Sequence, residues 1–303
     1  MKPELNKNIS IIGAPLDMGA SLRGCRLGPE AIRLAGIVKR LENIGYNVKD
    51  CGNLQVSNHL GLERAENNLN HLDIVKKANQ DLYEAVKGEI DKGQFPLILG
   101  GDHSIAIGSI KASLEKHPDL GIIWFDAHGD INTDTISPSG NIHGMPVATL
   151  MGLGAQDLLE IGSKDVLLKR ENIVYIGCRD LDGGERHMLK EHGIKVFTMH
   201  EVDYYGIQRV MEESISYLND KCKQIHVSFD MDVLDPEIAP GTGTKVPGGM
   251  QYREAHLCLE LVAKTEKLVS VEFVEVNPIL DIKNKTARAA VALAGSLLGE
   301  WLI

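Results

Sequence analysis

Five short segments of the 303-residue chain gather acids, amides and histidines at the ends of apolar runs or in polar loops. Gly100-Gly101-Asp102-His103-Ser104 follows Leu97-Ile98-Leu99, and Asp126-Ala127-His128-Gly129-Asp130 follows Ile122-Ile123-Trp124-Phe125. Asp230-Met231-Asp232-Val233-Leu234-Asp235-Pro236 follows Val227-Ser228-Phe229. Ser137-Pro138-Ser139-Gly140-Asn141-Ile142-His143-Gly144 and Glu275-Val276-Asn277-Pro278 complete the set. Residues i, i+2 and i+4 of an extended chain share a side, so Asp126, His128 and Asp130 are expected to converge, as are Asp230 and Asp232. Ionised groups gathered at the ends of core strands are costly unless compensated. No Lys or Arg interleaves these segments, so the pattern calls for cations, and for more than one.

The donor types narrow the choice of metal. The clusters contain no cysteine, which argues against a structural zinc site. Four aspartates with two histidines form a hard, oxygen-rich set that suits Mn²⁺ better than zinc or copper. Shared carboxylates can bridge two metals ~3.5–4 Å apart and hold a water between them as a hydroxide nucleophile. The expected reaction is a hydrolysis.

These segments need rigid elements behind them. Candidate strands are Asn8–Gly13, Tyr46–Asp50, Pro96–Gly100, Gly121–Asp126, Ile173–Gly177, Ile194–Thr198, Ile225–Asp230 and Leu268–Val274. A first helix opens at Gly28-Pro29, presents Ile32, Ala35, Val38 and Leu41 on one face, and ends at Gly45. A second carries Val75, Ala78, Leu82, Ala85 and Ile90 and stops at Gly93. Others are expected near Ile105–Leu114, Ile207–Leu218, Tyr252–Ala263 and Thr286–Leu302. Such alternation, with strands too apolar for a wet face, predicts a parallel sheet covered by helices on both sides. The long irregular stretches Ala14–Leu27, Asn53–Asn68, Ile131–His143 and Val233–Gly249 are placed largely at strand C-terminal ends, where open α/β sheets bind ligands. With no linker or repeat, residues 1–303 read as a single domain.

Composition sets the boundaries. A net charge of −10 argues against non-specific nucleic-acid binding. No apolar run approaches the ~20 residues of a membrane span, and Met1–Asn6 lacks the apolar stretch of a secretory signal. The five scattered cysteines contain no C-x-x-C pair and read as reduced thiols of a cytoplasmic protein. Pro240-Gly241-Thr242-Gly243-Thr244-Lys245 lacks phosphate-loop spacing. Gly152-Leu153-Gly154 lacks the third glycine of a dinucleotide site. His226 reads as a core histidine, and His187, His192 and His200 as surface or strand-edge residues.

Taken in order, GGDHS, DAHGD, SPSGNIHGMP, SFDMDVLDP and EVNP resemble the arginase branch of the ureohydrolases. The resemblance implies a three-layer α/β sandwich around a mostly parallel eight-stranded sheet. It also implies two Mn²⁺ ions per chain and hydrolysis of L-arginine to L-ornithine and urea. By resemblance, His103 and His128 each bind one manganese, and Asp126 and Asp230 bridge the pair. Asp130 completes the His103 metal and hydrogen-bonds the bridging hydroxide, and Asp232 completes the His128 metal. Glu275 anchors the guanidinium, and His143 passes a proton to the leaving amine. Asn132, Ser139 and Asn141 read the α-carboxylate, Asp182 and Glu185 face the α-amino group, and Thr244 belongs to the family's glycine-rich loop. The same resemblance implies a homo-oligomer, a hexamer in bacterial relatives. Gly24-Cys25 departs from the family's usual Gly-Val, with packing expected to survive. The competing readings are an agmatinase or other guanidino-compound amidinohydrolase and, from another class, a one-metal zinc deacetylase-like enzyme.

Overall fold

A computed structural model of the chain describes residues 6–57 and 68–300. The opening Met1–Leu5, most of the expected 53–68 loop and the last residues of the final expected helix lie outside them. In chain order the elements are β1 (Asn8–Ala14), α1 (Gly28–Leu34), α2 (Ile37–Asn43), β2 (Asn47–Asn53), α3 (Leu72–Asp91), β3 (Phe95–Gly100), α4 (Ala106–Lys116) and β4 (Leu120–Phe125). There follow α5 (Pro146–Leu150), α6 (Gln156–Leu159), β5 (Ile173–Cys178), α7 (Gly183–Glu191), β6 (Lys195–Thr198), α8 (Met199–Tyr205) and α9 (Ile207–Asn219). The chain closes with β7 (Gln224–Asp230), α10 (Tyr252–Ala263), β8 (Leu268–Val274) and α11 (Lys285–Leu297).

All eight expected strands form, within a few residues of their expected bounds. They make one sheet in the order β2-β1-β3-β8-β7-β4-β5-β6, with every pairing parallel. Alternate residues feed opposite layers. Leu97, Leu99, Ile123, Phe125, Phe229 and Phe273 pack with α1, α2 and α8–α11. Ile98 packs with α3, while Ile122, Trp124 and Tyr175 pack with α4, α5 and α7. The result is the expected three-layer sandwich. No helix among the described residues is long and apolar enough to cross a membrane.

The sheet order explains the site. GGDHS follows β3, EVNP follows β8, the Asp230 segment ends β7 and DAHGD follows β4. These four strands are contiguous, β3-β8-β7-β4, so motifs far apart in sequence leave the sheet side by side. Asp102 caps the turn after β3, accepting the Ser104 amide at 3.0 Å. The main chain of Asp102 in turn donates to Leu16 O at 2.8 Å. A Cβ on Gly101 would lie 1.7 Å from that same carbonyl, so only glycine lets β1 and β3 deliver their loops this close together.

One expected element is broken. The helix from Gly28 to Gly45 is two helices, separated at Gly36, whose φ of 94° is left-handed. Reading an unbroken apolar stripe through Ala35 missed this turn. Four short helices, α5–α8, were also not anticipated, because each is too brief for an apolar period to show. For α7 and α8 the signal lay in capping boxes, Asp182-x-x-Glu185 and Thr198-x-x-Glu201.

The two glycines should separate experimentally. Gly36→Ala meets no neighbour but strains a left-handed residue, so urea unfolding should show a loss of about 1–2 kcal/mol with divalent-ion binding intact. Gly101→Ala should destabilise the protein more and also weaken divalent-ion binding. Equal ion binding in both variants would contradict this role for Gly101.

Candidate metal centre

Each donor is set by a local bond at the end of its strand. The chain stops being extended after Phe125, so simple alternation is not what brings Asp126, His128 and Asp130 together. Asp126 Oδ1 instead accepts the His128 amide at 2.7 Å, closing a tight turn. Asp230 Oδ1 does the same for the Asp232 amide at 2.8 Å, opening a single 3₁₀ turn over Met231–Val233. Asp130 sits at φ 48°, a strained conformation for a non-glycine residue. It is held there by the buried Glu185, whose Oε1 accepts the amides of Asp130 at 2.8 Å and Gly129 at 3.2 Å. Convergence was expected correctly, but its cause is turn geometry.

The side chains meet around two nitrogens. His103 Nδ1 lies 3.1 Å from Asp126 Oδ2, 3.1 Å from Asp130 Oδ2 and 3.1 Å from Asp230 Oδ2. It is buried and has no hydrogen-bond partner. His128 Nδ1 lies 3.4 Å from Asp126 Oδ1 and 3.2 Å from Asp232 Oδ2. Two donor groups suited to cations result, His103/Asp126/Asp230 and Asp126/His128/Asp232, and Asp126 belongs to both. A buried imidazole nitrogen with no partner, ringed by three carboxylate oxygens, fits a hard cation. Trp124 supports the first group, stacking on His103 at 4.1 Å between ring centroids and donating to Asp126 Oδ2 at 2.9 Å.

Among the described residues no Lys or Arg side chain pairs with these acids, and only the two imidazoles stand within ion-pair distance of them. The nearest guanidinium, Arg179, donates instead to the main-chain carbonyls of Asp232, Val233, Leu234 and Val246. It thereby pins the loop that carries Asp232. Without metal, protons must supply the compensation. Burial and the neighbouring Asp126 charge push Asp130 up to about 6. Burial with the Asp232 and Asp126 charges raises Asp230 well above the usual range.

The remaining expected residues divide into two sets. His143 and Glu275 pair at 3.2 Å through Nδ1 and Oε1. Burial opposes the charged ring, but Glu275 with Asp130 and Asp102 outweighs it and lifts His143 to about 9. Glu275, at φ 63°, also accepts the His103 amide at 3.0 Å and the Cys25 thiol at 3.1 Å. The departure at Cys25 therefore packs as expected and adds a polar contact that valine could not make.

Asn132, Ser139, Asn141, Asp182, Glu185 and Thr244 all line the cleft above the cluster. Several are already engaged. Asn132 Nδ2 donates to Asp182 Oδ2 at 2.8 Å, and Glu185 closes the α7 capping box and holds Asp130. Thr244 donates to Asp232 Oδ2 at 2.9 Å. Asn141 pairs with Ser21 Oγ at 2.8 Å. Ser21, Asp102 and Trp124 were missed by sequence reasoning, although Asp102-x-Ser104 is a readable cap.

Ion-free protein should show the strain of this cluster. Because the Asp130 pKa is raised from 3.8 to about 6, its contribution to stability is complete below about pH 4 and lost as pH rises through 6. Asp130→Asn removes that loss. Urea unfolding of chelator-treated protein should find the variant gaining on the wild type between pH 4 and 7, whereas a constant difference would contradict the stated charge repulsion.

Residues 7–299 match the Arginase family model. The arginase of Brevibacillus brevis is 51% identical over 300 residues, covering 99% of this chain and 100% of that protein. The solved arginase of Bacillus caldovelox superposes with a TM-score of 0.95 at 50% identity, covering 100% of both chains. An Entamoeba histolytica arginase, solved in complex with L-ornithine, superposes with a TM-score of 0.90 at 32% identity, covering 97% of this chain and 99% of that one. With the match end to end and the motif-bearing strands in one sheet, the chain belongs to the arginase family.

Proposed function

We propose that this protein hydrolyses L-arginine to L-ornithine and urea, with two Mn²⁺ ions as cofactor. The observation that carries the reading is Asp126, whose two oxygens serve separate donor groups in a chain half identical to arginases. His103, Asp126, Asp130 and Asp230 would hold one ion, and Asp126, His128, Asp230 and Asp232 the other. Bound there, the ions supply water activation at neutral pH and neutralise the buried carboxylates. A one-metal deacetylase would leave one of the two donor groups without a purpose.

The other residues act on the substrate. Guanidinium is a planar, resonance-stabilised cation and a poor electrophile, so it must be held rigidly for attack. Glu275 supplies a buried carboxylate for it, fixed by the His103 amide and the Cys25 thiol. The leaving amine needs a proton. His143 stands on the cleft wall with Nδ1 3.2 Å from Glu275, within reach of a guanidinium held by that carboxylate, and is the group placed to donate that proton. At the mouth, Ser139, Asn141 and the Asn132–Asp182 pair offer donors and acceptors for an α-carboxylate and an α-ammonium. Glu185 would act there through its hold on Asp182 and Asp130.

A urea assay on Mn²⁺-incubated protein with a guanidino-compound panel tests the reading. Arginine should exceed agmatine in kcat/KM by at least ~10-fold, the cost of leaving a buried polar partner unpaired. His143→Asn should retain its metal and fold while kcat falls ~10²–10⁴-fold. Equal turnover of agmatine, or urea release independent of Mn²⁺, would overturn the assignment.

A further inference from the structure

One buried carboxylate takes no part in the scheme above. Glu272, on β8, has no solvent exposure. Across the sheet it is in register with Ser228 on β7 and, one strand further, with Trp124 on β4. Ser228 and Trp124 each lie two residues before a cluster acid, Asp230 and Asp126. The row therefore runs directly beneath the cluster, on the same face of the sheet.

The bonds in this row have a fixed direction. An ionised carboxylate only accepts hydrogen bonds, and Glu272 Oε2 accepts from Ser109. Its Oε1 accepts from Ser228 Oγ at 2.7 Å. With its single proton spent on Glu272, Ser228 Oγ can only accept in its 2.8 Å contact with His103 Nε2. A neutral His103 ring, the form that can ligate a cation, must then carry its hydrogen on Nε2, which leaves Nδ1 as the lone pair offered to the ion. Nδ1 is the nitrogen that faces the oxygens of Asp126, Asp130 and Asp230 and has no partner of its own. Stacking on Trp124 at 8° between ring planes prevents the ring from turning away.

We propose that Glu272, acting through Ser228, is a positioning residue that selects the metal-binding tautomer of His103 and thereby sets cation affinity in the His103 half of the site. This rests on the reading of the cluster as a two-ion centre. Partners of this kind behind a ligating histidine typically change metal affinity 10–100-fold. With Glu272 replaced by Gln, an amide nitrogen can face Ser228, and its hydroxyl is then free to donate to Nε2. That arrangement favours the opposite tautomer, with hydrogen on Nδ1. In the His128 half neither Glu272 nor Ser228 bonds an acid: Asp232, which serves that half alone, accepts from the Ala127 amide and Thr244.

The test is Mn²⁺ titration of chelator-treated full-length protein, followed by calorimetry and by electron paramagnetic resonance. The proteins are wild type, Glu272→Gln, Ser228→Ala, the double variant and His103→Asn, each checked for native circular dichroism. Wild type should bind two ions, and His103→Asn identifies which affinity belongs to its half. Glu272→Gln and Ser228→Ala should each weaken that affinity ~10–100-fold and leave the other within about threefold. The double variant should be no weaker than Ser228→Ala, because the effect passes through the serine. If Glu272→Gln fails to fold, Ser228→Ala alone decides. Two wild-type affinities in the variants, or equal weakening of both ions, would overturn the proposal while leaving the two-ion reading intact. A wild type that binds no ion would instead overturn that reading.

Discussion

Everything in this molecule near the sheet's C-terminal edge answers one constraint: four aspartates and two histidines are brought together largely out of water, with no lysine or arginine to neutralise them. Taking such charges out of solvent is among the most expensive things a fold can do. The chain meets the cost locally with directed main-chain amides, so Asp126, Asp230 and Asp102 each accept from the residue two positions on. Asp130 and Glu275 are held in left-handed backbone conformations to complete the arrangement. Such strain persists only where surrounding bonds over-determine the geometry, and here Glu185 and the Gly101 carbonyl provide them.

The same constraint accounts for the loops. The segment after β1 is closed on itself by Gly24 donating to Asp17 at 2.9 Å, and tied to the site by Gly19 donating to Asp102 at 2.7 Å and Cys25 to Glu275. The loop carrying His143 is anchored by that residue's amide to Gly19 O. The loop carrying Asp232 is pinned by Arg179 through its carbonyls. The cleft is therefore assembled from segments that brace one another.

Much of this was legible in the sequence. The six inner strands are nearly continuous apolar runs. The edge strands β2 and β6 proved largely exposed or half-buried, against the expectation that no strand has a wet face. All eight strands could nonetheless be read, four of them with motif-bearing ends. The sheet order could not, because crossovers place β8 and β7 between β3 and β4 and no local pattern records that. The same apolar runs concealed Ser228 in Val-Ser-Phe and Glu272 in Val-Glu-Phe, whose importance lies only in the register between strands. Gly36 was hidden by a helical stripe that continues across it. Asp182 and Glu185 were read for substrate, whereas their spacing also spells a helix cap, and the structure uses it.

The central claim is that Asp126 stands between two cations. Diffraction from crystals equilibrated with Mn²⁺, with data collected at the manganese absorption edge, tests it most directly. Two anomalous peaks are predicted per chain, one beside His103 Nδ1 and one beside His128 Nδ1, with an Asp126 oxygen next to each. A single peak under saturating Mn²⁺, or two peaks with Asp126 contacting only one, would contradict the account.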